Sequence, residues 1–162
     1  MAPKTVRIDW LMLAAAIVVC QLAGVVGSVF TVPSIPAWYD QLAKPDIAPP
    51  GWVIGAVWIT LYTLMGISLY LVWREGIGRS HVKGAIAAFG AQLLLNALWS
   101  FLFFGLRSPL YGLIGIAALW LAVGLTIVRF MKVSKTAAYL LVPYILWVTF
   151  AGYLNYLIWR MN

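Results

Sequence analysis

Acidic side chains number only four in 162 residues, Asp9, Asp40, Asp46 and Glu75, and histidine occurs once, as His81. With no carboxylate or imidazole inside its apolar stretches, the chain lacks the groups that carry protons across a membrane interior, which counts against an ion-coupled pump. It also lacks the acidic rings that cation channels use. No metal-ligand spacing is visible, and a buried nucleophile would have no positioned base, so hydrolytic and acid/base chemistry are disfavoured as well. Cys20 stands alone, which rules out a disulfide or a thiolate cluster within one chain. The eleven lysines and arginines give a net charge of +7. They are scattered in ones to threes without forming a basic helix face, so nucleic acid is not an expected partner.

What fills the chain instead is apolar: 64% of it is hydrophobic and 9% charged, a composition that belongs in lipid. Five stretches contain no Asp, Glu, Lys, Arg or His: Trp10 to Phe30, Gly51 to Trp73, Gly84 to Gly105, Leu110 to Val128 and Ala137 to Trp159. A bilayer core needs roughly 20 apolar residues per helical span, so these predict an all-α integral membrane protein, a five-transmembrane-helix bundle in one domain over residues 1–162. Strand alternation of the kind a membrane barrel requires is missing. Lys4 and Arg7 precede the first stretch as in a secretory signal, but that stretch exceeds a signal core and reads as a span. Cys20 follows Ile17, Val18 and Val19 rather than the small residues of a lipidation site.

Lysine and arginine set the expected orientation. The N-terminal tail, the second loop and the fourth loop hold eight of them, against three on the other side, which predicts a cytoplasmic N-terminus with the first loop and C-terminus opposite. That first loop, roughly Thr31 to Pro50, is the one long connection. Its prolines, Pro33, Pro36, Pro45, Pro49 and Pro50, beside Trp38 and Tyr39, predict a stiff lid; a rigid surface connector fits the same composition.

Nine tryptophans are the other conspicuous feature. Trp10, Trp52, Trp73 and Trp159 fall at span ends, where amphipathic rings favour the headgroup region. Trp58, Trp99, Trp120 and Trp147 lie deeper, where an indole N–H needs a partner. Helical spacing aligns Trp58, Tyr62 and Met65 on one face of the second span, and Gln92, Asn96, Trp99 and Phe103 on one face of the third. Tyr144, Trp147, Ala151 and Asn155 share a face of the fifth. Two amides turned to lipid would be costly, so these stripes are expected to converge beneath the first loop. At 1.5 Å per residue, Trp58 and Asn96 should both lie about 10 Å below that end. Stacking walls with a few amide, phenol and indole groups make a small-molecule pocket; core packing would use the same spacing. Gly84, Ala88 and Ala91 resemble a small-xxx-small contact and fit either a homodimer or packing within the chain. Leu154, Tyr156 and Arg160 match the loose cholesterol-contact pattern.

The segment from Trp38 through Tyr39, Asp40, Gln41, Leu42, Ala43 and Lys44 to Pro45, followed by Pro49 and Pro50, resembles the first-loop signature of the tryptophan-rich sensory protein family, the TspO, translocator or peripheral benzodiazepine receptor proteins. The likeness runs on through Trp58 with Tyr62, Gln92 and Leu93 with Asn96, Trp99 and Ser100, Phe103 to Gly105, and Pro143 and Tyr144 with Trp147. It implies a five-helix bundle, commonly dimeric, that acts as a membrane receptor for porphyrins such as protoporphyrin IX. Isoquinoline and benzodiazepine drugs and, in animal members, cholesterol are further implied ligands. No cofactor is implied; porphyrin enters as ligand. The resemblance puts Tyr39, Trp58, Asn96 and Trp147 in the ligand site with Trp99 and Tyr62 near it. With the stripes, the expected binding set is Trp38, Tyr39, Trp58, Tyr62, Gln92, Asn96, Trp99, Tyr144, Trp147 and Ala151. Two alternatives stay open: light- and oxygen-dependent porphyrin breakdown, with Trp58 and Trp147 as the reactive groups, and facilitative transport of porphyrin or lipid. The sequence departs from many relatives at Asp46, Ile47 and Ala48, where a further tryptophan is usual.

Overall fold

The computed structural model describes residues 8–162; Lys4 and Arg7, which enter the charge count of the N-terminal tail, lie outside the described residues. Five helical spans cross a membrane's thickness, and no strand occurs among the described residues. Helix α1 covers Trp10–Ala37, α2 Gly51–Trp73, α3 Ser80–Ser100 and α4 Pro109–Met131. The fifth span is made of two pieces, α5 Lys135–Leu140 and α6 Val142–Met161. Helix starts are marked chemically: the side chains of Asp9, Ser108 and Ser134 accept from the backbone N–H groups of Met12, Tyr111 and Ala137, which satisfies donors that a helix N-terminus leaves free.

The observed bounds correct the expected ones in three places. First, α1 does not stop at Phe30 but runs seven residues further, through Pro33 and Pro36. The carbonyls that these prolines leave unbonded sit in the outermost turns, and Ser34 anchors the extension by donating to Phe104 O at 2.8 Å. The expected loop therefore loses its first third to helix, and the lid proper is Trp38 to Pro50. Second, helices outrun their charge-free bodies: α3 includes His81 and Lys83, and α4 includes Arg129. Charges on terminal turns reach the interface along their apolar stems. Third, the fifth span breaks at Leu141, because Pro143 has no N–H to give to the preceding turn.

The helices close a ring in the order α1, α2, α5 with α6, α4, α3. Polar bonds tie neighbours together where water is absent. Gln21 donates to Ile59 O and to Thr63 Oγ1, both at 3.1 Å, joining α1 to α2. Ser68 donates to Ala137 O at 2.7 Å, joining α2 to α5, and Asn155 donates to Pro109 O at 2.7 Å, joining α6 to α4. The core is densest at the end far from the lid, where Gly66 lies against the Ile17 backbone and Phe89 stacks on Phe130 with centroids 5.7 Å apart. Near the lid the same ring is open inside.

Candidate functional site

Five residues after Ser100, Phe101 to Gly105, form a π-helical turn, with Leu106 N–H reaching Phe101 O and Ser108 N–H reaching Phe103 O. Such a widened turn changes which way successive side chains face. Here Phe103 and Phe104 are both buried, edge to face with centroids 4.8 Å apart. Trp99 stacks on Phe103 at 5.6 Å, and the lid's Tyr39 packs on Phe104 at 5.6 Å. These rings make one wall of a cavity of about 620 Å³ beneath the lid.

The opposite wall is built by α2 and α6. Trp58 stacks on Tyr62, with centroids 5.6 Å apart and planes 28° from parallel, and stands 6.5 Å from Trp99. On α6, Trp147 packs against Phe150, and Ala151, Leu154 and Asn155 continue the lining toward the lid. The indole N–H of Trp99 donates to Asn155 Oδ1 at 3.4 Å. That of Trp147 is buried and meets no acceptor among the described residues.

Under the floor runs a relay of polar bonds. Tyr62 OH donates to Asn96 Oδ1, Asn96 Nδ2 donates to Tyr144 OH at 2.9 Å, and Tyr144 OH donates to Gln92 Oε1 at 2.8 Å. The bonds tie the Asn96 carboxamide to α2 on one side and to α6 on the other, holding its position from both. Gln92 Nε2 ends the relay without a partner among the described residues.

Of the ten expected binding residues, Tyr39, Trp58, Tyr62, Asn96, Trp99, Trp147 and Ala151 line the cavity. Three do not. Gln92 and Tyr144 lie one layer deeper, as the support that orients Asn96. Trp38 packs edge-on against Phe103 at 5.5 Å, behind the lining. Trp120, expected in the interior, is 44% exposed and donates to Thr149 Oγ1 in a shallow groove between α4 and α6 on the outer surface. Of the small residues on α3, Gly84 faces Arg129 of its own chain, Ala88 is half-buried and Ala91 is exposed.

A further wall lies outside the expected set. Helix α1 contributes Gly24, Gly27, Ser28, Thr31, Val32 and Ile35. The signal was present in the spacing of the small residues, since 24, 27, 28, 31 and 35 fall on one helical face. At the mouth, Lys44 donates to the carbonyls of Tyr39, Asp40 and Leu42 at 2.8, 3.2 and 3.4 Å, and its ammonium lies 4.8 Å from the centre of the Tyr39 ring. Burial, with Asp40 adding in the same direction, holds the Tyr39 phenol above the usual tyrosine range, so it stays a neutral hydrogen-bonding group at physiological pH. Lys44 and Asp40 are the charged residues in the lining, both at its rim; the interior offers rings, an amide and glycine.

A model of the TspO/MBR family matches residues 16–160. The chain is 47% identical over 153 residues to the tryptophan-rich protein TspO of Archaeoglobus fulgidus, covering 94% of this chain and 97% of that protein. It is 43% identical over 152 residues to the protein of the same name in Chlorobaculum tepidum, covering 94% and 96%. With the translocator protein of Homo sapiens it shares 42% identity over 127 residues, covering 77% and 75%.

Proposed function

The chain belongs to the TspO/MBR family as a multi-pass membrane protein, and we propose that it is a receptor whose cavity under the lid binds a flat, largely apolar molecule of the tetrapyrrole class. One observation carries the reading: three indoles, Trp58, Trp99 and Trp147, line a single cavity of about 620 Å³ whose charged residues, Asp40 and Lys44, both belong to the lid. That size is usual for small-molecule sites, and aromatic walls reward a planar guest. The Asn96 amide at the floor and the Lys44 ammonium on the lid give such a guest polar points to orient on, and the lid cation favours one whose carboxylates stay at the mouth, as in a porphyrin. Sterols and isoquinoline drugs would compete for the same space.

Protoporphyrin IX titrated into the protein in lipid nanodiscs is expected to quench tryptophan fluorescence saturably, and an isoquinoline ligand should displace it. Quenching that rises linearly, without saturation, would mean partition into lipid and would end the proposal.

The excess of lysine and arginine on the second and fourth loops supports a cytoplasmic N-terminus, with the lid on the far side. Cys20 is fully buried, so a thiol placed at the exposed Asp46 by Asp46→Cys reports alone. An impermeant maleimide should label it from outside sealed right-side-out vesicles. Labelling only after permeabilisation would reverse the orientation.

A further inference from the structure

The lid is held shut over the aqueous side of the cavity. Asn162, just past α6, accepts from Ala43 N–H at 3.0 Å and donates to Ala43 O at 3.0 Å. Lys44 binds three lid carbonyls, and Trp38 and Tyr39 are packed on Phe103 and Phe104. A guest entering from water would have to break these ties together.

The flank between α1 and α2 is built otherwise. Far from the lid the two helices touch: a Cβ on Gly66 would lie 2.5 Å from Ile17 Cα. One turn nearer the lid, Gln21 bridges to Ile59 and Thr63, and Gly24 meets the Tyr62 ring. Nearer the lid the glycines of α2 have open space beside them. A Cβ added at Gly55 or Gly51 meets nothing within 4 Å. Val32 on α1 is 64% exposed and Gly55 on α2 is exposed, yet both line the cavity. A residue that belongs at once to the outer surface and to the inner wall marks an opening; Val32 and Gly55 mark one on this flank, continuing through Gly51 and Pro50 toward the lid.

The opening has an apolar edge. Ser28 and Thr31 line it, but their hydroxyls are already bonded to Val25 O at 2.7 Å and Gly27 O at 3.1 Å on their own helix, so no unmet polar group obstructs an oily passenger. Gly55 lies one turn below Gly51, about 6 Å along the axis, which sets the gap at the depth where amphiphiles rest in a bilayer.

We propose that the cleft between α1 and α2, edged by Val32 and Gly55, is a lateral portal through which the guest passes between the bilayer and the cavity while the lid stays closed. The inference rests on the cavity being a binding site, and it narrows the guest to molecules that first partition into lipid and present a thin edge.

Stopped-flow tryptophan quenching with protoporphyrin IX in nanodiscs tests it. Gly55→Leu fills the gap in open space, so folding is preserved, and it is expected to slow association and dissociation alike by about tenfold. Val32→Trp, on the α1 edge, should do the same. Asn162→Ala, which loosens the lid without touching the lining, should leave both rates as they are. A Gly55→Leu protein with unaltered rates, or with faster dissociation, would show a wall rather than a doorway and overturn the proposal. So would acceleration of both rates by Asn162→Ala. Lack of saturable quenching in the unmodified protein would instead overturn the binding reading, and the portal with it.

Discussion

Replacing Trp58 and Trp147 together by alanine is expected to weaken protoporphyrin IX binding by more than about 100-fold, since a buried aromatic anchor is worth about 2 kcal/mol and each 1.4 kcal/mol is a factor of ten. The two indoles come from different helices. Trp58 on α2 is held by its stack on Tyr62 and by Tyr144, whose ring centroid is 6.3 Å away; Trp147 on α6 is held by Phe150. Removing one leaves the guest the other indole to lie on, whereas removing both leaves Trp99 as the last of the three indoles in the lining. The shift of the porphyrin absorption band on binding measures the loss without depending on the deleted fluorophores. Trp120→Ala provides the control, because that ring faces the outer groove and its removal should leave the titration unaltered. If the double variant bound as tightly as the parent, the site would lie elsewhere.

How much of this was legible beforehand depends on what helical spacing encodes. It encodes direction, so the Trp58, Asn96 and Trp147 stripes could be seen to face inward and to meet. It does not encode how deep the floor lies. Gln92 is four residues from Asn96 on the same face, about 6 Å further along the axis, and that one turn takes it out of the lining and into the support beneath. Tyr144 is displaced from Trp147 in the same way. Trp120 misled for a related reason: depth in the membrane was readable from its position in the span, but which side of α4 met neighbours was not, and its N–H found Thr149 on the outside. The run of α1 through Pro33 and Pro36 escaped because proline reads as a breaker, and only the bond from Ser34 to Phe104 O reveals why helix continues there. The α1 wall was missed because glycine, serine and threonine carry little hydrophobic signal, although their common face was available to be counted.

That same scarcity of side chain makes the second large effect predictable. Gly66→Val is expected to destabilise the protein by about 3 kcal/mol or more, the upper range for overpacking a tight core, read as a lowered midpoint of unfolding in detergent. The new Cβ would sit 2.5 Å from Ile17 Cα and 2.9 Å from Ile17 N. Those are backbone atoms, so the clash cannot be relieved by a rotamer and α1 must move off α2. Gly24 looks similar but should behave differently. Its Cβ would press on the Tyr62 ring at 2.5 Å, a side chain that can shift, but only by leaving Trp58 and releasing Asn96. Gly24→Ala should therefore lower affinity for the porphyrin more than it lowers the melting midpoint, whereas Gly66→Val should do the reverse. A Gly66→Val protein as stable as the parent would mean that α1 and α2 are not locked at their lower ends, and a cleft that opens only toward the lid would lose its hinge point.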